Sequence, residues 1–452
     1  MNDAAINIVS PDGLPMPRRH WALAGLWIGT AMSVMDASIM NIALPTISRD
    51  LAVSSATVTW VVTAYQVAIV MALLPIAALG ERLGYHRIYL SGMVLFIIVS
   101  LGCAFAQGLE WLASLRFLQG LGAAMMMGVN GAQMRYVWPR ALLGRGIGYN
   151  AVVVSSAAAA GPPLAGFLLS LADWPWLFLV NIPTGLLSLF LVTRFGPKTP
   201  PVTQSFDWLS ALLNVLMFGG LFLAASEVVH GGLSSWGIGC ASVGGTAGIF
   251  LISRSRRNDR PMIPFDLIKI KPMRLAYCAS ICAFAAQMCM LVSLPFLLEE
   301  QLAIDVGTVG LVLLPLPISL ALTSPVAGRL SDRHWAGLMS AIGLCLAAIV
   351  MGTLAMLSAT APPAFIFAIG VGLCGVGYGL FQAPNNNVML RTAPIERAGG
   401  AAGLQATCRQ FGQTLGAMIA ALALRYAELG ASSALLIAAG LAFIAAAFAR
   451  AR

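Results

Sequence analysis

Two residues stand out because apolar sequence rarely tolerates them. Asp36 lies in MDASIMNIALPTI (35–47), and of the 17 acidic residues it is the one placed deep within an apolar stretch. Arg116 lies in RFLQGLGAA (116–124). An isolated carboxyl beside a partly wetted cavity can take up and release a proton. A guanidinium stays charged at every relevant pH, and in mid-membrane it costs at least ~2.5 kcal/mol on insertion scales. It therefore has to face protein or water and find acceptors. A second arginine, Arg409, lies in another apolar stretch with Gln405 nearby. Other amides and aromatic groups are scattered through such stretches: Asn41, Tyr65, Gln66, Gln119, Asn130, Gln287, Phe296, Phe381, Gln382, Asn385 and Asn386. Together they predict a cavity with polar points on an adaptable apolar wall.

The elements that position these groups are membrane helices. The chain has 452 residues, of which 59% are hydrophobic and 10% charged, too little charge to cover a soluble surface of this length. Crossing the hydrocarbon takes about 20 apolar residues. Stretches of that kind recur at 21–45, 56–79, 88–107, 110–134, 147–171, 175–193, 207–228, 236–252, 274–298, 306–327, 336–357, 363–390, 399–424 and 431–449. The expectation is an all-α polytopic membrane protein of fourteen transmembrane helices. Residues 1–20, polar and containing three prolines, are expected to be a cytoplasmic tail rather than a cleaved signal.

The net charge of +9 follows topology rather than nucleic acid. Fourteen spans put both termini on one side, and that side collects 22 of the 26 basic residues. Positive charge stays cytoplasmic, so both termini are expected inside the plasma (inner) membrane. All eight cysteines fall in apolar spans without zinc-ligand spacing, which predicts buried apolar side chains and no metal. None of the three lysines stands in a phosphate-binding loop, so neither nucleotide nor any other cofactor is expected.

Two loops repeat one pattern. LGERLGYHR (79–87) carries Glu81, Arg82, Gly84 and Arg87, and GRLSDRH (328–334) carries Asp332 and Arg333. An acid beside an arginine at equivalent helix junctions marks two related halves, and such charges can latch one half to the other. The boundaries that follow are an N-terminal six-helix bundle (21–195), an inserted two-helix hairpin (196–253), a basic cytoplasmic loop (254–273) and a C-terminal six-helix bundle (274–452). In AAAAGPPLAGF (157–167), Ala157, Gly161 and Ala165 form a smooth helical stripe, Gly166 adds a further small residue, and Pro162 and Pro163 bend the helix.

Read together, these segments and FQAPNNNVML (381–390) resemble the major facilitator superfamily, and most closely its fourteen-span drug:proton antiporter branch. The resemblance implies two six-helix bundles around a central cavity. It implies a role in proton coupling for Arg116, and an antiporter role for the segment that holds Gly161, Pro162, Pro163 and Gly166. The pattern departs at Glu81, where aspartate is usual, and at Ala157 and Ala165, where glycine is usual.

The expected function is proton-coupled export of an amphipathic drug-like or metabolite compound. The partners are then a small organic substrate, protons and the lipid bilayer, with no nucleic acid, and the carrier is a monomer. A proton-coupled importer or metabolite carrier of the same superfamily is the alternative. An intramembrane enzyme is the remote one: the four histidines lie outside span centres and HExxH is absent.

Overall fold

The computed structural model describes residues 13–139, 142–199, 206–230, 234–257, 265–331, 336–392, 398–425 and 430–452. Their regular structure is helical. The first half holds α1 (Arg18–Asp50), α2 (Ser55–Val58), α3 (Trp60–Leu83), α4 (Tyr85–Ala104), α5 (Leu109–Val137), α6 (Leu143–Leu171), α7 (Trp176–Leu179) and α8 (Asn181–Phe195). Two helices follow, α9 (Trp208–His230) and α10 (Ser235–Arg257), then the short α11 (Phe265–Lys269). The second half holds α12 (Lys271–Phe296), a π-helical turn (Leu297–Gln301), α13 (Val306–Leu313), α14 (Pro315–Ser331), α15 (Ala336–Leu357), α16 (Ala364–Thr392), α17 (Ala398–Arg425) and α18 (Gly430–Arg450).

Twelve of the described helical stretches are long and apolar enough to cross a membrane. The expectation of fourteen rested on two further helices. α6 (Leu143–Leu171) contributes an apolar run at Ser156–Leu171 among the described residues, and α17 is diluted by Gln405, Arg409, Gln410 and Gln413.

The packing repeats itself. In the first half α1 packs on α6 and α8, α5 packs on α3 and α4, and α4 meets α8. In the second half α12 packs on α17 and α18, α16 packs on α14 and α15, and α15 meets α18. Each pair in one half thus has its counterpart in the other, as two structural repeats require. The halves meet where α6 packs on α13 and α14, α3 on α17, and α1 on α12. The α9–α10 pair leans on this body through α9, which contacts α3 and α17.

Helix-breaking prolines supply some of the glue. Pro162 inside α6 cannot donate a hydrogen bond to the carbonyl of Ala158. Ser38 of α1 donates to that carbonyl instead, at 3.2 Å. Pro75 inside α3 likewise frees the carbonyl of Met71, which accepts from Asn214 of α9 at 2.9 Å. At the foot of the α9–α10 pair, Arg254 donates to both Asp207 oxygens (3.2 and 3.1 Å). Burial pushes the Asp207 carboxyl up, but the hydrogen bonds from Arg254 and Ser210 outweigh it and hold the group below its ordinary value.

The seam between the halves closes at the end opposite the chain termini. A Cβ on Gly166 of α6 would stand 3.2 Å from Gly307 Cα, and one on Gly310 of α13 would stand 2.6 Å from the Pro162 carbonyl oxygen. At Gly310 a side chain would collide with backbone, and at Gly166 it would be tight. The small-residue segment of α6 therefore faces two ways. Gly161 abuts Ser38 of α1, and Gly166 abuts the other half.

Candidate functional site: a sealed ion pair beside a central cavity

The groove geometry of α5 places Arg116. A Cβ on Gly120 would stand 2.4 Å from the Tyr65 carbonyl oxygen, and one on Gly122 would stand 2.9 Å from that of Gly92. The two glycines let α5 wedge between α3 and α4, which brings Arg116 against α1. Its side chain and that of Asp36 are both fully buried, and Arg116 Nη1 lies 2.6 Å from Asp36 Oδ2. The same Nη1 donates to the Gln119 amide oxygen, and Nε donates to the Val61 carbonyl at 3.0 Å. Nη2 has no hydrogen-bond partner. The guanidinium instead lies over the ring of Tyr65 at 4.3 Å, with Phe178 at 5.7 Å, a placement in which the rings offset part of its desolvation.

Asp36 is held from three sides. Besides Arg116, Asn181 of α8 donates to its Oδ1 at 2.8 Å and Gln119 donates at 3.3 Å. Gln119 also donates to the Ser100 hydroxyl at 2.8 Å. Five groups from α1, α4, α5 and α8 thus form one network. Asn181 and Ser100 were not singled out in the sequence. A lone amide in the apolar segment 175–193 was the available signal for Asn181, whereas nothing marks Ser100.

A cavity of about 300 Å³ lies between the halves. From the first half it is lined by Asn41, Tyr65 and Gln66, among others, and from the second by Gln287, Gln382, Asn386, Gln405 and Arg409. Ser33, Gln410 and Gln413 add polar groups, and Leu313 and Leu316 add apolar wall. Asp36 and Arg116 are not among the lining residues. The expectation of an acid exposed in the cavity is corrected here: its carboxylate is consumed by Arg116, Asn181 and Gln119. Tyr65 connects the two regions, since it lines the cavity and stacks on Arg116.

Five further residues expected in the cavity stand elsewhere. Gln119 belongs to the Asp36 network. Asn130 donates to Asn150 of α6 at 3.4 Å. Asn385 is turned towards α12, where it donates to the Ser280 hydroxyl at 2.8 Å. Phe296 and Phe381 are each 1% exposed and pack in the largest apolar core. Neighbouring helices thus take up the amide nitrogens of Asn130 and Asn385, while their amide oxygens stay buried without a partner.

The first repeated loop has one clear structural demand. Gly84 ends α3 at φ +93°, and a Cβ there would stand 2.9 Å from the Thr199 carbonyl oxygen, so glycine is required. Glu81, Arg82 and Arg87 are exposed. Asp332 and Arg333 lie outside the described residues.

Comparison with known proteins agrees with this architecture. A family model described as the Major Facilitator Superfamily matches residues 26–252 and 276–452. The chain is 42% identical to an uncharacterized transporter, YebQ, of Escherichia coli (strain K12), over 97% of this chain and 96% of the other. It is 30% identical to the multidrug resistance protein Stp of Mycobacterium tuberculosis, over 86% of this chain and 73% of that one. Among solved structures, a POT family transporter in complex with a thioalcohol-conjugated peptide superposes with a TM-score of 0.73 at 14% identity, covering 94% of both chains. That likeness is one of fold. With a family model spanning both halves, duplicated helix pairing and a cavity between the repeats, the chain belongs to the Major Facilitator Superfamily and is a multi-pass membrane transporter.

Proposed function

We propose that the protein is a fourteen-span, proton-coupled antiporter of the plasma membrane that exports an amphipathic organic compound, with both termini in the cytoplasm. Counting α6 and α17 as spans beside the twelve supports the number, because both take part in the duplicated packing. The observation that carries the reading is the buried Asp36–Arg116 pair, one residue from the cavity-lining Ala37 and joined to the cavity by Tyr65. Protonation of Asp36 removes the charge that holds Arg116. The guanidinium then has reason to shift, and Tyr65, stacked upon it, shifts the cavity wall. Proton and substrate thereby favour different states of one network, which is coupling by linkage. Export of a drug-like compound draws further support from the likeness to the multidrug resistance protein Stp.

The test uses inverted membrane vesicles with an imposed pH gradient and a compound identified by thermal-shift screening of drugs, dyes and metabolites. The wild-type protein is expected to accumulate the compound and to dissipate the gradient, as read by a pH-sensitive dye. Asp36→Asn is expected to bind the compound without accumulating it. Accumulation by Asp36→Asn in response to the gradient would show that another group couples the proton.

A further inference from the structure

The two intramembrane arginines are treated differently by the fold. Arg116 is neutralised by Asp36 and held by Gln119 and a backbone carbonyl. Arg409 lies in the cavity wall, and no described residue is paired with it by a hydrogen bond or a charge. Among the described residues, the lining contains no aspartate, glutamate, lysine or histidine. Its neighbours there are amides: Gln405, Gln410, Gln413, Gln382 and Asn386, with Gln405 donating to Asn386 at 2.8 Å. Among its described residues the cavity therefore carries one positive charge, that of Arg409, and no acid to cancel it.

A cation withdrawn from bulk water without a counter-charge is costly unless a partner arrives. A carboxylate or sulfonate meets the guanidinium fork with two parallel hydrogen bonds. A cationic ligand in the same small, weakly screened space is repelled. The opposite wall carries no charge among its described residues, only amides and hydroxyls turned into the protein. Asn41 donates its amide to the Ala37 carbonyl, which leaves Asn41 Oδ1 buried and without a partner. Gln66 Oε1 is also buried and unpartnered. Both residues line the cavity from the first half, whereas Arg409 lines it from the second.

We propose that the cavity selects organic anions: an aromatic or aliphatic body whose carboxylate or sulfonate meets Arg409. The inference rests on the transport reading of the cavity and names its substrate class. It discriminates by repulsion as well as attraction, since an unpaired arginine rejects quaternary ammonium compounds that an acid-lined cavity would accept.

The probes are naphthoate, methyl naphthoate and a naphthyl trimethylammonium salt, measured for binding to the purified full-length protein in nanodiscs. Naphthoate is expected to bind about tenfold or more tightly than its methyl ester, and the ammonium salt not at all. Arg409→Gln is expected to erase the preference of the acid over the ester, and Arg409→Lys to keep a weaker one. Should Arg409→Gln fail to fold, the wild-type series and Arg409→Lys decide the matter. Equal binding of acid and ester, preferential binding of the ammonium salt, an unchanged preference in Arg409→Gln, or no anion binding in the millimolar range would each overturn the proposal. Equilibrium binding needs no pH gradient, so this proposal can fail while proton-driven export stands, and the reverse.

Discussion

Arg49 at the end of α1 and Glu299 in the π-helical turn after α12 form an ion pair, with Nη2 and Oε2 3.1 Å apart, and so tie the two halves together at the end opposite the termini. The pair is asymmetric. The arginine side chain is 61% exposed and the glutamate 2%. Beside it, Ser55 donates to both oxygens of Glu300. A mostly exposed partner contributes little on its own, about 0–1 kcal/mol, but removing it strands a nearly buried carboxylate.

Arg49→Ala is therefore expected to favour separation of the halves at that end. The measurement is alkylation of a cysteine placed at Val309, buried in the seam, in a cysteine-free background. Faster labelling in Arg49→Ala than in the parent is the expected result, and equal rates would remove the pair from any gating role.

The Asp36–Arg116 pair predicts non-additive energetics. Removing one partner of a buried pair typically costs about 3–5 kcal/mol because the other charge is stranded. Asp36→Asn and Arg116→Gln are each expected to lower the melting temperature markedly. The double variant is expected to be more stable than the sum of the two losses implies. It is also expected to remain uncoupled from the pH gradient, which separates the structural role of the pair from its role in transport.

The backbone approach of Gly310 to Pro162 predicts a steric block. A methyl group there meets a backbone oxygen that has no rotamer to retreat into. Gly310→Ala is expected to express and insert, yet to transport poorly because the seam cannot close. A cysteine pair at Gly166 and Gly307 in that background should cross-link more slowly than in the parent. Cross-linking and transport at parental rates would show that the seam tolerates the extra volume.

The proposed topology predicts sidedness. A cysteine at Ser234, in the turn between α9 and α10, should react with an impermeant reagent from outside intact cells. One at Arg254, at the other end of α10, should react only from inside. Labelling of both from the same side is incompatible with fourteen spans.

A charge-loop prediction follows from the repeated acid–arginine sequence. Asp332→Asn is expected to slow transport while binding of the compound changes little, since in the first copy of the pattern Glu81 and Arg82 are exposed and do not line the cavity. Equal losses in binding affinity and transport rate would argue against a latch.

By itself the sequence determined that the chain is built of membrane helices, that it has two related halves, and that Asp36 and Arg116 are out of place in apolar surroundings. Each of these is a local property, namely length, hydropathy and the cost of a charge in hydrocarbon. The tertiary structure decided how those costs are met. A polar group within an apolar helix announces that it needs a partner, but helical spacing does not say which neighbour turns towards it. Asn385 and Asn386 are consecutive, yet one bonds to α12 and the other lines the cavity, because successive helical residues point about 100° apart. Asp36 and Arg116 stand 80 positions apart, and two glycines of α5 had to bring three helices together before one could neutralise the other. Arg409 looks much like Arg116 in sequence. Only the packing shows that one has its carboxylate and the other faces an open cavity.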